Sequence, residues 1–170
     1  NYVVITTGPP HSSHLIGIQL KKELGVKWIA DFRDPWTDIY YYAQLLHTKI
    51  AKRKDLKFER EVLTSADRVL TVCPSNQKTI SDKLDEPDRS KVLLLPNGYD
   101  ESDFDNVIKQ SFDRFTLVYT GTMAATYDFT LLFRALSKIE FDWKLIIAGS
   151  ISPEVDDQIT RYGLNGNIDF

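Results

Sequence analysis

Short apolar runs alternate with stretches of helical spacing along the whole chain, and that alternation leaves few folds open. Runs at 2–7, 26–32, 68–73 and 91–95 read as strands, as do 115–119 and 143–148, and another begins at Ile168. Between them, Ile16, Leu20 and Leu24 recur at helical spacing, and Gly25 suits the position after a helix end. A long helical zone is expected over 39–65, and a short helix opens at Pro74 and carries Ile80 and Leu84. Asp128 is placed to cap a helix with Phe129, Leu132, Phe133, Leu136 and Ile139 on one face, and a last helix is expected over 153–162. Strands that stay apolar without a polar alternation belong to parallel sheets, so the expected class is α/β, with helices on both faces of parallel strands.

At 170 residues the chain is long enough for one full domain or parts of two. Charge points to two parts. Residues 1–70 hold 11 basic and 8 acidic side chains, whereas residues 71–170 hold 10 and 16. The expected division is therefore 1–98, an acidic connection over 99–114, and 115–170. The net charge of −3 carries no electrostatic footprint of a nucleic-acid binder, so no nucleic-acid partner is expected. A single cysteine, Cys73, excludes an intrachain disulfide and reads as a small core residue at a strand end. No apolar run reaches the about 18 residues of a membrane span, and the expected setting is cytoplasmic. Both ends read as cut, the first entering a strand at once and the last breaking off as one starts, so a piece of a longer enzyme is expected, inactive by itself.

In open α/β sheets ligands sit beyond the carboxyl ends of the strands, and the chemically suggestive segments fall at that edge. After the first strand comes Gly8-Pro9-Pro10-His11-Ser12-Ser13-His14. Ser12 or Ser13 can cap the following helix, whose free N–H groups and dipole favour an anion and a neutral histidine. The structural alternative is a rigid turn with an incidental histidine pair. After the second strand comes Asp31-Phe32-Arg33-Asp34-Pro35-Trp36. Two carboxylates around an arginine, beside an indole, suit a sugar whose hydroxyls donate to carboxylates and whose apolar face covers a ring. The alternative is an Asp–Arg pair bracing a loop. Residues 47–60 form a basic helical stretch after Tyr40-Tyr41-Tyr42, suited to peripheral contact with an anionic membrane or simply to a solvated face. In Tyr119-Thr120-Gly121-Thr122 a glycine between two hydroxyls admits a ligand to the backbone. The dinucleotide and P-loop glycine signatures and the hydrolase serine elbow are absent. His11 and His14 could ligate a metal with Asp31 or Asp34, but His-x-x-His is unspecific and no metal site is assigned.

Taken in order, Gly8-Pro9-Pro10-His11-Ser12, Asp31 to Trp36, Ser65-Ala66-Asp67-Arg68-Val69-Leu70-Thr71-Val72, Pro96-Asn97-Gly98-Tyr99-Asp100 and Tyr119-Thr120-Gly121-Thr122 resemble the family 4 glycosyltransferases of GT-B fold through essentially the whole chain. The resemblance implies two Rossmann-like domains, the first for acceptor and the second for a nucleotide-sugar donor. It implies retaining transfer, without an obligatory metal, to a glycan or lipid-linked acceptor in cell-surface polysaccharide synthesis. On that template Asp34, Arg33 and His11 are the expected catalytic residues. Gly121, Thr122 and Thr120 would bind donor, and His14, Trp36 and Ser12 acceptor. The template also has a glycine-rich loop before Asn1 and a glutamate pair after Phe170. One departure is internal: where many members carry an arginine and a lysine for the diphosphate, residues 122–127 have neither. Two alternatives stay open, a degenerate glycan-binding or scaffold domain and a nucleotide-sugar epimerase.

Overall fold

The computed structural model describes residues 2–108 and 111–170; Asn1 and, in the acidic connection, Lys109 and Gln110 lie outside them. The chain forms two compact units that divide between Glu101 and Ser102.

In the first unit, β1 (Val3–Gly8), α1 (Ser13–Leu24), β2 (Lys27–Phe32), α2 (Lys49–Ser65), β3 (Arg68–Thr71), α3 (Pro74–Ser81) and β4 (Val92–Leu94) alternate. The strands form one parallel sheet in the order β1-β2-β3-β4. Period-two alternation in β2 sends Trp28, Ala30 and Phe32 to the helix-covered face, where they meet Ile18, Val62, Leu63 and Ile80. Full burial of Phe32, Leu63 or Ile80 is worth about 1.5–3 kcal/mol each. The Trp28 indole lies so close to α1 that a Cβ at Gly17 would meet it at 2.2 Å, so the helix can approach only through a glycine. Gly25 ends α1 at φ 63°, its N–H bonded to the Lys21 carbonyl.

The expected helix over 39–65 begins at Lys49 instead. Thr48 is extended and its hydroxyl accepts the Ala51 N–H at 3.1 Å, which caps α2 at that point. The residues before it turn once, over Tyr42–Gln44, and leave the helical path.

The second unit contains β5 (Phe115–Met123), α4 (Thr130–Leu136), β6 (Trp143–Ile151), α5 (Pro153–Arg161) and β7 (Ile168–Asp169), with the parallel order β5-β6-β7. Its core gathers Phe133, Leu136, Trp143, Leu145, Ile147, Val155 and Ile159. The Asp128 carboxylate accepts the Thr130 N–H at 3.0 Å, at the helix start where a cap is expected. Both long strands run further than their apolar runs suggest, because Thr120 to Thr122 pair in register with Ala148 to Ser150.

Candidate ligand site at the strand ends

Five turns and strand ends carry the candidate residues, and each is positioned by the sheet below it. At the end of β1, Gly8 lies under two imidazoles: a Cβ there would sit 2.6 Å from His11 Nδ1 and 2.9 Å from His14 Nε2. His14 is fully buried and stacks on Phe32 at 4.6 Å between ring centroids. The Trp28 indole N–H donates to Thr6 Oγ1 at 2.9 Å, and Thr6 Oγ1 lies 2.8 Å from His14 Nδ1. An indole can only donate, so the Thr6 oxygen accepts from Trp28 and has His14 Nδ1 as its second partner. Burial lowers the His14 pKa to about 4, with the neighbouring His11 adding to the shift. His14 thus supports Phe32 and His11 from inside the core and presents no surface to an acceptor.

His11 is half-buried and stacks on Trp36 at 5.4 Å with a 19° interplanar angle. Its pKa is lowered by burial, opposed in part by the Glu59 and Asp34 carboxylates and by the Pro35 carbonyl. Desolvation thus favours the neutral form expected there. Ser12 makes no capping bond, and the Ser13 hydroxyl turns back to donate to the Thr7 carbonyl at 2.7 Å. The first turn of α1 therefore has no serine cap, contrary to expectation.

Beyond β2, Asp31 is held by the Thr7 hydroxyl at 2.8 Å. Arg33 and Asp34 are exposed, and the alternative of an Asp–Arg brace is not formed: among the described residues neither enters a hydrogen bond or an ion pair. The loop is braced from below instead. Glu59, 1% exposed on α2, accepts the Thr37 hydroxyl at 2.5 Å and Lys83 Nζ at 2.7 Å. Lys83 also donates to the Thr37 hydroxyl at 3.0 Å and pairs with Asp38. With the Thr37 N–H also donating to Glu59 Oε1 at 3.5 Å, this buried carboxylate fixes the backbone beside Trp36 while leaving Arg33 and Asp34 unspent. Sequence reasoning missed Glu59, Thr37 and Lys83. The available signal was an acid at position 59 between the apolar positions 58 and 62 of one helix face.

At the end of β3, Cys73 is partly exposed rather than a core residue. Its sulfur lies 3.2 Å from Ser75 Oγ, and hydrogen bonding to that hydroxyl lowers the thiol pKa.

In the second unit, Thr120, Gly121 and Thr122 belong to β5 and not to a loop, a correction whose cause is the glycine pair at positions 121 and 149. These pair in register, and a Cβ on Gly149 would lie 1.9 Å from the Gly121 carbonyl oxygen. Gly121 itself holds φ 133°, a conformation L side chains rarely adopt. The close approach extends the pairing and brings the Thr122 and Ser150 hydroxyls within 3.2 Å at an exposed strand end. Such an end can offer hydroxyls and backbone groups to a ligand, and it carries no cationic side chain of its own. The first unit thus gathers His11, His14, Ser12, Arg33, Asp34 and Trp36 at one sheet edge, while Thr120, Gly121 and Thr122 stand at the strand end of the other. Among the described residues no three His, Cys, Asp or Glu side chains cluster as metal ligands would.

This α/β architecture, parallel sheets flanked by helices in two units, is the GT-B fold class expected from the sequence, and it recurs in solved structures. HepE of Anabaena in complex with UDP aligns with a TM-score of 0.67 at 14% identity, over 98% of this chain and 47% of that one. TarM aligns at 0.63 and 14%, over 98% and 31%. The apo form of the lipopolysaccharide outer core galactosyltransferase WaaB aligns at 0.59 and 16%, over 98% and 42%. At these identities the likeness is one of fold, and the chain spans half or less of each neighbour's length. No protein-family model and no curated protein sequence matches the chain.

Proposed function

We propose that the chain is the part of a glycosyltransferase that joins an acceptor-side unit to a nucleotide-sugar donor unit, and that the enzyme moves a hexose with retention onto a glycan or lipid-linked acceptor. The carrying observation is that nearly the whole chain, both units together, matches HepE, which has been crystallised with UDP and with UDP-glucose. Unpaired Arg33 and Asp34 beside the His11–Trp36 stack support a polar, ring-bearing ligand on the first unit. The exposed Thr120, Gly121 and Thr122 support diphosphate contact through hydroxyls and backbone N–H groups on the second. Departure of the diphosphate develops negative charge, and hydrogen-bond donors already in place there lower the barrier. In this reading no obligatory metal takes part, and Arg33, Asp34 and His11 face the reacting sugars.

The test, made on the full-length enzyme, is transfer from UDP-glucose and other nucleotide-sugars to a panel of glycan acceptors, with the product anomer read by NMR. A retained anomer is expected, and Asp34→Ala should lower turnover at least about tenfold, the worth of one charged hydrogen bond, without changing the circular dichroism. Wild-type turnover in Asp34→Ala removes that carboxylate from the site, and an inverted anomer rejects the retaining assignment.

A peripheral seat on the cytoplasmic face of an anionic membrane belongs to the same reading, within polysaccharide synthesis. Leu46 is fully exposed and Ile50 is 69% exposed, next to Lys49, Lys52, Arg53, Lys54 and Lys57. Apolar side chains set among lysines are what an interfacial helix offers to headgroups. Among the described residues no helix is long and apolar enough to cross a membrane.

A further inference from the structure

The segment that departs from the expected helix before Lys49 closes one side of a pocket of about 300 Å³ in the first unit. Its wall is aromatic. Trp36, 9% exposed, is backed by His11, and Tyr42 is stacked on His47 at 4.6 Å with an angle of 27°. The Tyr42 hydroxyl donates to Asp55 Oδ2 at 2.8 Å, which ties the turn to α2 and places a carboxylate in the lining beside Ser12. Burial and the Asp55 carboxylate raise the Tyr42 pKa to about 12, so that bond persists across the physiological range. The volume lies at the lower end of the about 300–1,000 Å³ usual for small-molecule pockets, room for a single ring rather than an extended chain.

We propose that this pocket seats one pyranose ring of the acceptor, its apolar face on the Trp36–Tyr42 wall and its hydroxyls bonded to Asp55, His47 and Ser12. This rests on the transferase reading above and narrows it: the acceptor end is a sugar and not a lipid chain. A prenyl chain would cover Ser12, His47 and Asp55 with hydrocarbon and strip their water, with only Asp55 keeping a partner in the Tyr42 hydroxyl, which is costly. A quaternary ammonium ion also suits aromatic walls beside a carboxylate. However, such an ion has no hydroxyls, so the hydrogen-bonding groups of Asp55, His47 and Ser12 would go unmatched.

The experiment is an NMR titration of the 170-residue chain with methyl glucosides and galactosides of both anomers, with choline, and separately with UDP. At least one glycoside is expected to give saturable shifts at His47 and Trp36. Asp55→Asn and His47→Ala, one isosteric and one at an exposed position, should each weaken it about tenfold. Shifts with choline alone, no glycoside shift up to the solubility limit, or glycoside affinity unchanged in both variants would each overturn the proposal. UDP binding without glycoside binding rejects the pocket and leaves the donor reading standing. Glycoside binding without UDP binding upholds the pocket as a pyranose site and removes the donor reading.

Discussion

His11 and His14 lie three residues apart on one turn, yet burial gives them different work. His14 is locked between Phe32 and the Thr6 hydroxyl, while His11 stands outside it against Trp36. The consequence for pH is specific. An unfolded histidine titrates at 6.5, whereas folded His14 titrates at about 4. Between those values the unfolded chain takes up a proton that the folded chain refuses. The His14 contribution is therefore complete above pH 6.5 and is lost as pH falls through 4, up to about 3 kcal/mol in all. Urea unfolding at stepped pH should show the midpoint falling across that window, and the His14 ring resonance should hold its neutral position until near pH 4. A His14 resonance that moves at 6.5 contradicts the buried placement. The sequence showed that this turn was chemically unusual, because histidines beside a Gly-Pro-Pro stop are visible in a string. It could not divide their roles, since which of two nearby histidines is buried depends on Trp28 and Phe32, brought in by a neighbouring strand.

Elements were legible where their apolar spacing was continuous, and illegible where a local bond overrode it. Strands β1 to β4 and helix α1 follow their periodicity to within a residue or two. Helix α2 does not, because the Thr48 cap cuts a pattern that runs on through Leu46 and Ile50 in the sequence. Strand β5 runs on through Gly121 because backbone proximity at Gly149, rather than side-chain hydrophobicity, sustains the pairing. The Glu59 brace is likewise a tertiary fact, assembled from α2, the loop after β2 and Lys83 just beyond α3. With Leu46 and Ile50 excluded from any core, the start of α2 acquires an exposed apolar and basic surface. Each basic side chain close to anionic headgroups is worth about 1 kcal/mol. The chain should co-sediment with phosphatidylserine vesicles, release as salt rises, and bind less after Lys52→Glu with Lys54→Glu. Equal binding to zwitterionic vesicles, or none to either, contradicts that role for α2.

On the scale of the molecule, the two units share one construction and differ in charge. Residues 1–101 hold 15 basic and 14 acidic side chains and residues 102–170 hold 6 and 10, so the acidic excess lies in the second unit, and the division at Glu101 and Ser102 falls within the stretch read as a connection. The first unit ends its strands in aromatic, acidic and basic side chains; the second ends them in glycines and hydroxyls, with no cation at residues 120–127. The missing cation departs from what a donor half with a diphosphate site would carry, and it puts the decisive question for the proposed division on the second unit. The most direct measurement is calorimetric titration of the chain with UDP, then GDP and ADP, in the wild type, in Thr122→Val and in Asp34→Ala. The account predicts saturable binding of one nucleoside diphosphate, UDP foremost, weakened about tenfold by Thr122→Val, which deletes a hydroxyl without changing shape, and unchanged by Asp34→Ala. Failure of all three nucleotides to bind, or affinity untouched by Thr122→Val, would contradict it.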